Sequence, residues 1–208
     1  MKLYRQKFLS MGCPCEIGVF SNDQQLAEKA IAGAENEVHR LDRKYSHFKP
    51  DSYISCLQSD AHCAKGVKVD TETSALLDYA ATQYELSDGL FDITAGRLSQ
   101  LWHQRDTLPD SAELDDALFH TGWTKLSWQN QRLTLPANMQ IELGGLVKEY
   151  AADRAALLMK RSHMNSAFVE LGGDIHVTGP RPDDQPWNMG IRKPDYQHSK
   201  DNKAIASI

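Results

Sequence analysis

Apolar residues spaced through Leu3 to Phe8 and Cys15 to Phe20, on either side of a Met-Gly-Cys-Pro turn, predict two strands. Asp23 is placed to cap a helix. Leu26, Ala30, Ile31, Ala34, Val38, Leu41 and Tyr45 then recur every three or four residues, predicting a long amphipathic helix that ends near Tyr45. Lys49-Pro50-Asp51-Ser52 reads as a turn and a new helix start, and Gly66 to Asp70 as a short strand. A second amphipathic helix is predicted from Thr71 to Ser87, with Thr71 as its cap and Gly89 as its left-handed stop. Gly89 to Gly96 is a loop. A short helix should carry Leu98, Leu101 and Trp102, and another opens at Pro109-Asp110-Ser111 and runs through Phe119.

Further on the period changes to two. Lys125 to Trp128 and Arg132 to Leu135 flank Gln129-Asn130-Gln131 and predict a hairpin. Met139 to Leu143 reads as a strand, and Gly144-Gly145 leads into a helix from about Lys148 to Arg161. Ala167 to Leu171 is a buried strand broken by Gly172-Gly173, with further strands at Ile175 to Gly179 and Trp187 to Arg192. The pattern is α+β, with mixed strands and several amphipathic helices rather than alternating βαβ units. No low-complexity linker divides it, so residues 1–208 are expected to form one domain.

Composition narrows the function. With 41% hydrophobic and 25% charged residues the chain can bury a core. A net charge of -5 with the two signs mixed, and no basic stripe, speaks against nucleic acid as a partner. No run of eighteen apolar residues predicts a transmembrane segment, and no apolar stretch near the N-terminus resembles a secretory signal, so a cytoplasmic location is expected. Of the cysteines at 13, 15, 56 and 63, the Cys-Pro-Cys pair is too tightly spaced for a structural zinc site, and free thiols are expected.

The segment from Ile141 to Ala151 carries the sharpest chemical signal. A strand ending in Glu142 meets two glycines and then a helix, an arrangement that exposes backbone N–H groups to an anion. Glycine lets a ligand approach the backbone, and its carbonyl is a hard oxygen that suits Mg2+. Lys148, read as lying in the first helical turn, opposes the helix dipole unless an anion sits nearby. A second Glu-Leu-Gly-Gly at Glu170 to Gly173 reads first as a tight turn. Asp92, between Phe91 and Ile93 in a glycine-bounded loop, needs donors, either from a ligand or from nearby backbone. Phe48 in Ser46-His47-Phe48 can stack on a ring or plug a core. The dinucleotide fingerprint GxGxxG and the P-loop are absent, and no Ser/His/Asp or Cys/His arrangement is legible.

Taken in order, MGCPCEI from Met11, YSHFKPDSYIS from Tyr45, DGLFDITAGRLSQLW from Asp88, IELGGLVKEYAADR from Ile141, FVELGGDIHVTG from Phe168 and WNMGIRKP from Trp187 resemble the ApbE family of FAD:protein FMN transferases. The resemblance implies an enzyme that uses FAD and Mg2+, passes FMN to a Ser or Thr hydroxyl of an acceptor flavoprotein and releases AMP. It implies cofactor contacts at Met11, Phe48, Leu90, Phe91, Asp92, Glu142 and Lys148, and a metal-facing carbonyl at Gly145. Glu142 stands where the family usually has Asp, Glu149 where it has glycine, and Cys13 and Cys15 where it has small residues. The family pattern continues beyond Trp187 with further metal ligands, so this chain is expected to lack the C-terminal third. Hydrolysis of FAD to FMN and AMP, and flavin binding without catalysis, are the alternatives.

Overall fold

The two strands expected at the N-terminus form a tight antiparallel hairpin. Strands β1 (Lys2–Ser10) and β2 (Cys13–Ser21) pair from Lys2↔Ser21 to Ser10↔Cys13, so only Met11 and Gly12 form the turn. Both lie in left-handed backbone, with φ of 52° and 72°, which matches the strand twist of a two-residue hairpin. The computed structural model of the chain describes residues 1–63, 65–103, 107–183, 185–191 and 206–207.

The remaining elements are α1 (Gln24–Tyr45), α2 (Tyr53–Ala61), β3 (Val67–Lys68), α3 (Thr71–Leu86), α4 (Gly96–His103), α5 (Ser111–Phe119), β4 (Ser127–Gln129), β5 (Arg132–Thr134), α6 (Gly144–Arg161), β6 (Ala167–Leu171), β7 (Asp174–Val177), β8 (Gly190–Ile191) and β9 (Ala206–Ser207). Contacts divide the chain into two compact units, one of Met1–Glu37 with Ala152–Ile208 and one of Val38–Ala151. The boundaries fall inside α1 and α6.

The first unit is built on an antiparallel sheet in the order β1-β2-β6-β7. Its core takes alternate residues Cys15, Ile17 and Val19 from β2 and Ala167, Val169 and Leu171 from β6, with small helix residues such as Ala27, Ala34, Ala155 and Ala156. The expected helix register holds from Ala30 onward, but Leu26 is exposed and Ala27 takes its place on the buried stripe. Gly172 and Gly173, at φ of 62° and 108°, form the two-residue turn between β6 and β7, so the second Glu-Leu-Gly-Gly is a hairpin turn.

In the second unit a three-stranded sheet in the order β3-β5-β4 lies among helices. Val38, Leu41, Ile54, Leu77, Leu133, Met139, Ile141 and Leu143 are among its fully buried large side chains. Helix ends follow their caps. Asp70, not Thr71, caps α3 by accepting from the N–H groups of Glu72 and Thr73. Asp110 and Glu113 form a capping box on α5. At the C-terminus of α3, Asp88 already takes the left-handed position (φ 51°) before Gly89 (φ 81°). The N–H of Gly89 bonds the Tyr84 carbonyl at 2.8 Å and that of Asp88 bonds Glu85, which is a Schellman closure.

Two expectations are corrected around the Gly-Gly motif. Residues 139–143 are extended but make only an isolated parallel bridge, Gln140 with Ala95, instead of a strand ladder. Helix α6 begins at Gly144, four residues earlier than expected, because the buried Leu143 carbonyl already accepts from Leu146 and Val147 N–H. Lys148 is thus the fifth helical residue, and the dipole penalty argued for the first turn largely lapses there. Among the described residues no helix is long and apolar enough to cross a membrane.

Candidate functional site

The short parallel pairing in the second unit brings the loop after α3 alongside the segment before α6. Glu142 N–H donates to the Ile93 carbonyl at 2.7 Å, and Gly96 N–H to the Gln140 carbonyl at 3.2 Å. Gly96 is required here, since a Cβ on it would lie 2.8 Å from the Gln140 carbonyl oxygen. Gly96→Ala is expected to cost about 2 kcal/mol and to lower the thermal midpoint of the chain; an unchanged midpoint would mean that the pairing yields easily.

Within this frame Asp92 turns inward to the protein. Its Oδ1 accepts from Thr94 N–H (2.8 Å) and from the Thr94 hydroxyl (2.7 Å), and its Oδ2 from Trp123 N–H (2.9 Å). The fully buried Thr94 hydroxyl in turn accepts from Gly122 N–H at 2.7 Å. Of the two donor sources open in the sequence, backbone supplies two of these bonds, and the Thr94 hydroxyl supplies the third. Asp92 therefore holds the loop's shape, stapling it to the 3-10 turn at Trp123–Lys125. Ser87 adds a bond from Phe91 N–H at 2.9 Å, and Trp123 stacks on Tyr84 at 5.9 Å. Thr94, Trp123 and Ser87 were not singled out in the sequence. The Asp-x-Thr spacing is a local turn signal for Thr94, but nothing marks Trp123, which is thirty-one positions from Asp92.

With the loop fixed, Phe91 lies against the start of α6: a Cβ on Gly145 would be 3.1 Å from its ring. Glu142 curls over the other glycine, its Oε1 3.0 Å from where a Gly144 Cβ would be. Gly144 and Gly145 are both exposed, and α6 has no acidic residue in its first turn. Their N–H groups have no intrahelical acceptor, so the helix presents free donors and a positive dipole end beside Glu142 and Phe91. Lys148 is half-buried one turn further on, and Leu90 is 92% exposed. The structure thus brings Leu90, Phe91, Asp92, Glu142, Gly145 and Lys148 to one region. Phe48 is in the same unit, 59% exposed, with His47 against its ring at 3.8 Å. Met11 belongs to the other unit. Its left-handed backbone is unusual for a side chain with a Cβ and stores strain of about 1 kcal/mol at the hairpin tip.

A cavity of about 310 Å3 also opens in the second unit, lined by His47, Ser55, Gln58, His62, Gln100 and Gln140 among others. Among the described residues no Asp, Glu, Lys or Arg lines it. The described residues contain no group of three or more His, Cys, Asp or Glu placed to hold a metal.

Comparison with known proteins establishes the family. Residues 11–208 match the sequence model of the ApbE family, and the chain belongs to that family. A FAD:protein FMN transferase of Chlamydia pneumoniae is 33% identical over 157 residues, covering 73% of this chain and 49% of the relative. One from Treponema pallidum is 28% identical over 213 residues, covering 92% and 58%. The crystal structure of an ApbE protein from Thermotoga maritima superposes with a TM-score of 0.87 at 29% identity, covering all of this chain and 67% of that one. The flavin transferase ApbE of Vibrio cholerae shares the fold, with a TM-score of 0.85 at 22% identity. The chain spans about half to three-fifths of the length of the curated relatives it matches.

Proposed function

We propose that this chain binds FAD at the start of α6 and serves FMN transfer, in which a Ser or Thr hydroxyl of an acceptor flavoprotein attacks the FMN-side phosphorus and AMP leaves. The observation that carries the reading is the exposed Gly144-Gly145 turn at the head of an eighteen-residue helix, with Phe91 packed against it. Free N–H groups and the helix dipole suit a pyrophosphate. Lys148 adds a cation one turn away, and the exposed Leu90 with the half-buried Phe91 offers apolar contact to the nucleotide. The relatives' shared name, FAD:protein FMN transferase, supports the same substrate and donor.

Magnesium is part of the proposal through the resemblance, and it would neutralise charge on the pyrophosphate. The expected metal-facing carbonyl is not supported, because Gly145 is the second residue of α6 and its carbonyl is committed to the helix ladder; Glu142 is the one nearby carboxylate among the described residues, far short of the roughly six oxygens the ion takes. No step is therefore drawn through it. What the chain's own residues do is position the pyrophosphate and place fixed positive dipoles where negative charge gathers on the departing AMP.

Titration of the purified chain with FAD, with and without Mg2+ and followed by assay for AMP and FMN, tests the reading. Saturable FAD binding is expected, weakened about tenfold in Lys148→Ala by loss of one charge-assisted contact. Absence of FAD binding under both conditions would sink the proposal. AMP release in the absence of any acceptor protein would favour hydrolysis over transfer.

A further inference from the structure

The two cysteines that stand where the family has small residues are not used by the site above. They occupy β2 two positions apart, so the pleat points both side chains to one face. Their sulfurs lie 3.9 Å apart. Both thiols also point at the Ser10 carbonyl, Cys13 at 3.4 Å and Cys15 at 3.7 Å. Cys15 is 3% exposed and Cys13 half-buried. Gly172 in the β6–β7 turn leaves room for the pair: a Cβ there would be 2.7 Å from the Cys13 sulfur.

This separation discriminates between two kinds of thiol chemistry. Side chains two apart on one face of a strand run parallel, so their Cβ atoms keep the two-residue spacing of about 6.6 Å, whereas a disulfide tolerates roughly 4.5 Å between Cβ atoms. Direct oxidation would have to distort β2, which is paired on both sides by β1 and β6. A single bridging atom needs no such movement. With metal–sulfur bonds of about 2.3 Å, a linear two-coordinate ion holds its sulfurs about 4.6 Å apart, which a small rotation of the two side chains reaches from 3.9 Å without moving the strand.

We propose that Cys13 and Cys15 form a two-sulfur site for a soft thiophilic ion of low coordination number, Cu+. Thiolate donors select soft ions. Zinc would want four protein or solvent ligands, and no third His, Cys, Asp or Glu joins the pair among the described residues. The step is an exchange without redox change: two S–H bonds break, two sulfur–copper bonds form and two protons leave to solvent. Burial, and then the neighbouring Cys13, pushes the Cys15 thiol up to about 12, so Cys15 keeps its proton until a cation displaces it. That also keeps Cys15 inert as a nucleophile.

The test uses the reduced chain under anaerobic conditions, competing for Cu+ with a chromophoric bicinchoninate chelator. One equivalent should leave the chelator, with a sulfur-to-copper absorption appearing in the near ultraviolet. Cys13→Ser and, separately, Cys15→Ala should each weaken uptake at least tenfold, with circular dichroism showing that each variant folds. The Cys56→Ser, Cys63→Ser double variant should take up copper like the parent, since both of those thiols are exposed and lie elsewhere. Uptake that survives Cys13→Ser, or that disappears in the double variant, overturns the assignment, as does a parent chain that withdraws no copper.

Discussion

Replacing Asp92 by alanine is expected to lower the unfolding free energy by about 3 kcal/mol and to remove FAD binding with it. The carboxylate accepts three hydrogen bonds, two from Thr94 and one from Trp123 N–H thirty-one residues away. Alanine leaves the fully buried Thr94 hydroxyl and two backbone donors without their acceptor. The loop that sets Phe91 against Gly145 then loses its tie to the turn at Trp123. Asparagine should cost less, because its carbonyl can keep the Thr94 bonds while its NH2 meets the Trp123 N–H donor to donor. Urea denaturation of the parent and both variants checks this. A loss below about 1 kcal/mol for alanine, the net worth of a single ordinary hydrogen bond, would show that the Ala95–Gln140 pairing holds the loop unaided.

Glu72→Gln is expected to cost about 2 kcal/mol at neutral pH and to flatten the acid limb of the stability profile. Glu72 is a hub: Arg40 grips it with two nitrogens at 3.0 and 2.6 Å, Lys44 approaches at 2.8 Å, and the Tyr150 hydroxyl donates at 3.1 Å. Arg40, assisted by Lys44 and opposed by burial, holds the Glu72 carboxyl down from 4.5 to about 2. A depressed folded value means stability that is present above the unfolded value and lost on acidification. This contribution should therefore be complete above about pH 4.5 and fade as pH falls toward 2. Asp70 adds to the same window. Burial would raise it, but bonds from Tyr53, Lys44 and Thr73 outweigh that and hold it well below the usual range. Unfolding free energies of parent and Glu72→Gln between pH 2 and pH 7 should converge at the acid end. Parallel curves would mean that the hub contributes packing rather than charge.

Much of the fold was legible in the order of residues because the signals are local. The α1 stripe, the Asp23 cap, the hairpin at Asn130-Gln131 and the α5 start at Asp110 all depend on neighbours within a few positions. So did the candidate site, since the Gly-Gly before α6, Asp92 and Lys148 stand in short contiguous motifs. The errors sit where long-range contacts compete. Met139 to Leu143 has strand composition, but in place of a strand its backbone meets the irregular loop at Ile93 to Gly96 and the Gln58 side chain, which takes Ile141 N–H at 2.7 Å. A ladder cannot form without a neighbouring strand.

The sequence by itself determined the α+β class, most helix ends and the presence of a glycine turn leading into a helix, because periodicity and capping act over a turn or two of backbone. Only the tertiary structure decided that Asp92 turns to Thr94 and Trp123, that Phe91 rests on Gly145, and that Cys13 and Cys15 stand 3.9 Å apart beside Gly172. Those outcomes depend on which distant backbone arrives within hydrogen-bond or van der Waals reach. That is set by packing of the whole unit, and no window of neighbouring residues contains it.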